Sequence, residues 1–225
     1  MEIQPETQDS HLTYALEDLL DDWSSLSADQ RVSRFKELPL AEAQRFFFYL
    51  TDHDRTQLLP QLPRSDQQIW IRMLPPDDIA AVLRGCSREE TSSLITLLEP
   101  FVRTEVAALL SYHEDSAGGL MSPQFLRVRE AMNVGEALEY VRLQMRGTHV
   151  KLTRYAYVLN AEGVLVGVVS LRELLTSDPS KPVIARMQTN PVTVVDTMTM
   201  EEIEGVHRQY KLHGLPVVDA ARCMK

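Results

Sequence analysis

The chain has 225 residues, 44% hydrophobic and 24% charged, the balance of a globular protein long enough for one large domain or two ordinary ones. A net charge of −9 excludes a general nucleic-acid binder, which would carry a basic stripe, and argues against tight adsorption to anionic lipid. Two cysteines fit a reducing compartment, no apolar run approaches the roughly 18–20 residues of a bilayer span, and the acidic start Met1–Glu6 is no signal peptide, so the expectation is a soluble, cytosolic chain.

The charge is unevenly spread. Before Pro123 there are 21 acidic against 10 basic residues, or −11; from Pro123 onward 11 face 13, or +2. Within the acidic half Leu26, Leu38, Leu50, Leu62, Leu74, Cys86, Leu98 and Leu110 recur at a spacing of twelve. The residue after each is often a helix starter or stopper: Ser27, Pro39, Thr51, Pro63, Pro75 and Ser87. Apolar residues between them recur at helical spacing, as in Ile79, Ala80, Val82 and Leu83. Ser27 with Gln30, and Ser87 with Glu90, have capping-box form. Each twelve-residue line reads as a short helix plus a turn that cannot bury its apolar face alone, so neighbours must stack into a superhelix. The cluster Phe46-Phe47-Phe48-Tyr49 belongs to a helix covered on several sides, with core packing preferred over a partner surface.

After Gly118-Gly119 the texture changes. Val134 to Met145 predicts an amphipathic helix with Val134, Leu138, Val141 and Met145 along one stripe. Tyr155–Asn160 and Val164–Ser170 predict strands joined through Ala161-Glu162-Gly163, and Leu171–Leu175 opens another helix. The order then restarts: a strand at Pro191–Val195, a helix from Met200 to Tyr210, a strand at Leu215–Asp219. This second copy stops short, and an unpaired strand edge is a liability. The expectation is a fragment of a longer protein, or a second chain over the gap.

The segment Ser111-Tyr112-His113-Glu114-Asp115-Ser116-Ala117-Gly118-Gly119-Leu120-Met121-Ser122-Pro123 resembles the piece that joins the two cytoplasmic domains of MgtE-type magnesium transporters. Val168–Leu175 and Leu215–Asp219 resemble strand-helix and strand-end motifs of paired CBS domains, and the resemblance runs from Leu12 to Asp219. It implies an α plus α/β architecture: an all-α superhelix of short stacked helices at 12–122, a first CBS unit at 123–180, and a partial second unit at 181–225, cut short. It further implies a homodimer through the CBS region, a transmembrane pore domain elsewhere in the full-length protein, and a place on the cytoplasmic side of the bacterial inner membrane. The function implied is regulatory, with Mg2+ drawing the acidic domain onto the CBS region.

Carried over residue by residue, the resemblance assigns magnesium to Asp77, Asp78 and the carbonyl of Gly118. Acids in a helix's first turn are also favoured by the helix dipole whatever their function. Glu114 and Asp115 read better as a solvated turn, and Asp18, Asp21 and Asp22 as a solvent face. CBS pairs often bind ATP or another adenine nucleotide through a strand aromatic and a Ser/Thr-x-x-Asp motif; this chain offers Tyr155 and Ser170, Arg172 and Glu173, with Glu in place of Asp. Several acids that the family uses lie in the missing part of the second CBS unit, and Gln209 and Lys211 stand near positions where relatives present acids. No Walker-type loop, His-Glu-x-x-His or Cys/His cluster points to an enzyme, and the six histidines are scattered. The alternatives are a protein-interaction scaffold and a nucleotide-sensing CBS module of another protein.

Overall fold

A computed structural model describes residues 14–147, 154–212 and 214–225. Leu12, where the helical domain is expected to begin, and His11, His149 and His213 lie outside the described residues. The chain divides into two compact units. One runs to Leu74 and resumes over Ala81–Glu99; the other takes Pro75–Ala80 and Pro100–Lys225.

The helical region follows the twelve-residue pattern: α1 (Tyr14–Trp23), α2 (Ala28–Glu37), α3 (Leu40–Tyr49), α4 (Asp52–Leu58), α5 (Arg64–Met73), α6 (Pro76–Gly85), α7 (Arg88–Ile95) and α8 (Pro100–Leu110). At four of the repeat positions the leucine is the residue on which a helix ends. Leu38, Leu50, Leu62 and Leu74 are C-caps in extended backbone, each donating its N–H to the turn before it. The next residue starts the following helix. Ser27, Thr51 and Ser87 accept from the N3 amide as side-chain N-caps, and Pro39 and Pro63 occupy the same position without a side-chain bond. Both expected capping boxes are present, at Ser27/Gln30 and Ser87/Glu90.

Connections this short leave carbonyls at the helix ends without intrahelical partners. They are met by side chains from the next helix, five residues past the repeat position. Arg31 Nε donates to the Trp23 carbonyl (2.9 Å), and Arg55 Nε and Nη2 donate to those of Phe47 (3.0 Å) and Phe48 (2.9 Å). Gln67 Nε2 donates to Pro60 (3.1 Å) and Thr91 Oγ1 to Leu83 (3.2 Å). A bond to a guanidinium contributes roughly 1.5–3 kcal/mol and a neutral one about 1 kcal/mol. Alternate helices stack, α1 on α3, α2 on α4 and α5 on α7. Among them sits an aromatic core in which Trp23 meets Phe46 edge-on at 4.8 Å and Phe35 meets Trp70 at 4.9 Å. The Phe46 cluster splits. Phe46 and Phe47 are fully buried, whereas Phe48 and Tyr49 are 46% and 51% exposed, because consecutive helical residues point 100° apart.

In the second unit, α9 (Ala117–Leu120) follows α8, and then a βαβ pattern runs twice. The first copy is β1 (Arg127–Arg129), α10 (Val134–Gly147), β2 (Tyr155–Leu159), β3 (Leu165–Ser170) and α11 (Leu171–Thr176). With β4 (Gln188–Thr189) its strands form a sheet in the order β1-β2-β3-β4, parallel between β1 and β2 and antiparallel thereafter. The second copy is β5 (Val194–Val195), α12 (Met200–Tyr210) and β6 (Val217–Val218), a separate parallel pair. Both strands are shorter than expected, since only two residues of each find a ladder partner.

The core of the first copy alternates as a half-buried sheet must: Val128, Ala156, Val158 and Val169 point inward to meet Val134, Ala137 and Val141 of α10 and Leu174 of α11. Met145, expected on the same stripe of α10, is 50% exposed. Among its described residues α12 buries none. The turn after β2 needs glycine: Gly163 has φ 82°, while Asn160 Oδ1 accepts from the amides of Glu162 and Val164.

Candidate functional site

The linker named by the sequence is held tightly. Ser116 caps α9, its Oγ donating to the His113 carbonyl (2.7 Å) and accepting from Gly119 N (3.2 Å). The Ala117 and Gly118 amides donate to the carbonyls of Met198 and Asp196 (2.8 Å each), and Met200 N donates to Asp115 O (2.9 Å), so the linker lies along the approach to α12. Tyr112 closes the arrangement, its hydroxyl donating to Asp196 Oδ2 at 3.2 Å. Burial first, then the Asp196 hydrogen bond and charge, push the Tyr112 phenol above its ordinary value.

Both linker glycines are required sterically. A Cβ on buried Gly118 would stand 2.6 Å from Cγ and Cε1 of the Tyr112 ring. A Cβ on Gly119 would overlap the His113 carbonyl oxygen. The Gly-Gly pair is therefore explained by packing before any ligand is invoked.

Asp77 and Asp78 are half-buried neighbours in the first turn of α6, whose first residue is Pro76. Their carboxylate oxygens are hard donors of the kind Mg2+ takes, since that ion is held by one or two carboxylates and otherwise keeps its waters. No group of three or more His, Cys, Asp or Glu able to hold an ion converges among the described residues.

The nucleotide candidates gather at one end of the first sheet, where Tyr155 pairs with Ser170 across β2 and β3. Ser170 is the N-cap of α11. Its Oγ accepts from Glu173 N (3.1 Å), while the Glu173 carboxylate accepts from the Ser170 amide (3.0 Å) and hydroxyl (2.7 Å). The motif is thus a closed capping box, and Arg172 and Glu173 are exposed on the helix surface. Tyr155, 37% exposed, lines two cavities together with Tyr157. The smaller, about 170 Å³, also meets Val168, Gln188 and Leu212. The larger, about 650 Å³, is bordered by Met121, Phe125 and Arg154 and by Ser122 and Gln124. In it Ser122 Oγ and Gln124 Oε1 are buried without a hydrogen bond among the described residues. Ser170, Arg172 and Glu173 line neither. The Ser122 and Gln124 groups carry no sequence signal, since only the fold buries them.

The sequence matches the family profiles of the MgtE intracellular N domain over residues 14–115 and of the CBS domain over 117–179. The structure superposes on the cytosolic domain of the Mg2+ channel MgtE, solved in complex with ATP, with a TM-score of 0.82 and 33% identity, covering 93% of this chain and 85% of that one. The chain belongs to the MgtE family. Curated relatives agree. The magnesium transporter MgtE of Thermus thermophilus is 34% identical over 206 residues, 90% of this chain and 45% of its own length. MgtE of Bacillus subtilis is 27% identical over 197 residues, 82% and 43%. The chain spans less than half the length of these relatives. The soluble part of a magnesium transporter shares the fold at a TM-score of 0.70 and 18% identity. In this MgtE chain, no helix among the described residues is long and apolar enough to cross a membrane.

Proposed function

We propose that this chain is the magnesium-sensing regulatory region of a magnesium transporter, on the cytoplasmic side of the bacterial inner membrane, without enzyme activity of its own. The observation that carries the reading is the superposition on the MgtE cytosolic domain over 93% of the chain. In this reading 12–122 is the sensing N domain, 123–180 the first CBS unit and 181–225 part of the second. The protein dimerises through the CBS region and acts on a transmembrane pore.

The physics starts from the charge of −11 before Pro123. Two like charges 4 Å apart repel by about 4 kcal/mol at an effective dielectric of 20, so an acidic face resists docking until a divalent ion reverses the sign. Asp77, Asp78 and the Gly118 carbonyl are the proposed ligands, with water completing the shell. Magnesium stabilises the docked form only as far as it binds that form better, by RT ln(1 + [L]/Kd) per site. When bound, ATP or another adenine nucleotide would supply a base to stack and phosphates to neutralise. Tyr155 offers the ring face, with Arg172, two residues past its cross-strand partner Ser170, as the cation. Engaging Ser170 or Glu173 with ribose would cost part of the α11 capping box, about 1 kcal/mol.

The test is limited proteolysis and small-angle scattering in chelator and in millimolar Mg2+. Protection of the Ser111–Pro123 linker and compaction are expected with Mg2+, and both should weaken in D77N/D78N. Superimposable digests and profiles in the two conditions would refute the proposal.

A further inference from the structure

At the end of the first sheet away from Tyr155 lies a hollow of about 330 Å³ that neither the magnesium nor the nucleotide reading uses. β2 runs from Tyr155 to Leu159, four steps of about 3.3 Å, so some 13 Å of strand separate the two ends. The hollow is lined by Arg127 and Arg129 of β1, Tyr140 of α10, and Asn160 with Gly163 of the turn after β2.

Strand residues two apart share a face, so Arg127 and Arg129 project together while Val128 between them is buried in the core. Like charges so placed repel, yet neither guanidinium has an ion-pair or hydrogen-bond partner among the described residues. The nearby carboxylates are engaged or stand outside the lining. Glu139, next to Tyr140, pairs with Arg142; Glu136 accepts from the Asn133 amide at the start of α10; Glu130 and Glu162 do not line the hollow.

The frame is fixed in advance. Gln144 Oε1 accepts from Arg127 N (3.1 Å) and its Nε2 donates to Arg127 O (2.8 Å), so the side-chain amide stands in for a neighbouring strand at this edge. Asn160 commits its Oδ1 to the Glu162 and Val164 amides, which leaves its NH2 as the end able to reach a ligand. The polar side chains around the hollow are therefore two guanidinium forks, a phenol and an amide NH2, with no carboxylate among them, and Val128, Leu159 and Ala161 complete the lining.

We propose that this hollow binds a phosphate-type oxyanion, either the free ion or the phosphoryl group of a small phosphomonoester. Arginine forks match tetrahedral oxyanions bidentately, which lysine cannot do. The site does not depend on the proposed magnesium or nucleotide function.

Isothermal titration of the chain with inorganic phosphate, in chloride buffer at constant ionic strength, tests it. One saturable site is expected, abolished in R127A/R129A and weakened about tenfold or more in R127K/R129K, which keeps the charge but loses the forks. Both arginines are exposed, and circular dichroism checks that each variant keeps its fold. Glycerol phosphate run alongside separates the two sources: binding as tight as phosphate or tighter assigns a phosphomonoester, weaker binding the free ion. Non-saturating heats, or phosphate binding retained in R127A/R129A, would overturn the site.

Discussion

Replacing Gly119 by alanine adds one carbon to the most crowded point of the linker. Its Cβ would overlap the His113 carbonyl oxygen and lie 3.1 Å from both the His113 carbonyl carbon and the Glu114 oxygen, inside the roughly 3.3–3.6 Å of an ordinary C–H···O contact. These atoms are backbone, so relief requires turning the His113 peptide. That loosens the bonds it accepts from Ser116 N (3.0 Å) and Ser116 Oγ (2.7 Å). Overpacking of this kind costs about 1–3 kcal/mol, and the lower entropy of the unfolded alanine chain returns about 0.4–1 kcal/mol. A net loss of about 1.3 kcal/mol should lower the melting temperature by about 3–5 °C. G118A meets the Tyr112 ring instead and should cost less, mainly the Tyr112–Asp196 bond. G205A is the internal control. A Cβ there meets nothing within 4 Å, and replacing a helical glycine should stabilise the protein by about 0.5–1 kcal/mol. Hydrogen exchange at the Ala117 and Gly118 amides is the assay of choice, because Trp23 and Trp70 both lie in the other compact unit and report poorly on the linker. A G119A protein with native stability and native protection at those two amides would refute the steric argument.

Phe46→Ala should cost about 3–5 kcal/mol and Phe48→Ala under about 1 kcal/mol, measured by urea unfolding, because only the first ring is fully buried. The Cys86 thiol is pushed up from 9.0 to about 11 by burial, with Glu90 adding to it. The folded state therefore keeps a proton that the unfolded state loses, so Cys86 leaves stability unchanged below about pH 9 and lowers it between 9 and 11. Alkylation of native Cys86 near pH 8 should be slow, and the stability difference between the native chain and C86A should be constant below about pH 9 and change only in that alkaline window. Ser170→Ala should lower stability by about 1 kcal/mol in thermal melts without any nucleotide, since the α11 cap is lost in either case.

Local patterns were the legible part. The spacing of twelve, the boxes at Ser27 and Ser87, and the helix from Met200 to Tyr210 all follow from residues within a dozen positions of each other, and each is present. Features that depend on a partner far along the chain were not. Nothing near Arg31 or Arg55 announces that their guanidinium groups close the preceding helix, and nothing in Pro191–Val195 says that only Val194 and Val195 pair. The Ser170–Glu173 stretch is a case of one pattern with two meanings: Ser-x-x-Glu after a strand serves a helix cap and a ribose motif equally, and the hydrogen bonds describe the cap. Gly118 carried its assignment by resemblance, while the ring of Tyr112 supplies a reason for glycine that no local rule contains.

Leu38, Leu50, Leu62 and Leu74 each close one helix just before the residues that open the next, which makes this stretch of the acidic region modular in length. Each helical residue turns the chain by 100°, so losing a single residue between Leu26 and Leu98 would swing every following side chain off its seat. Removing or duplicating a whole twelve-residue block restores the phase and costs only one neighbour-to-neighbour surface. Natural length variation in this region should therefore come in dozens, and chimeras spliced at the leucines should fold where cuts within a helix fail.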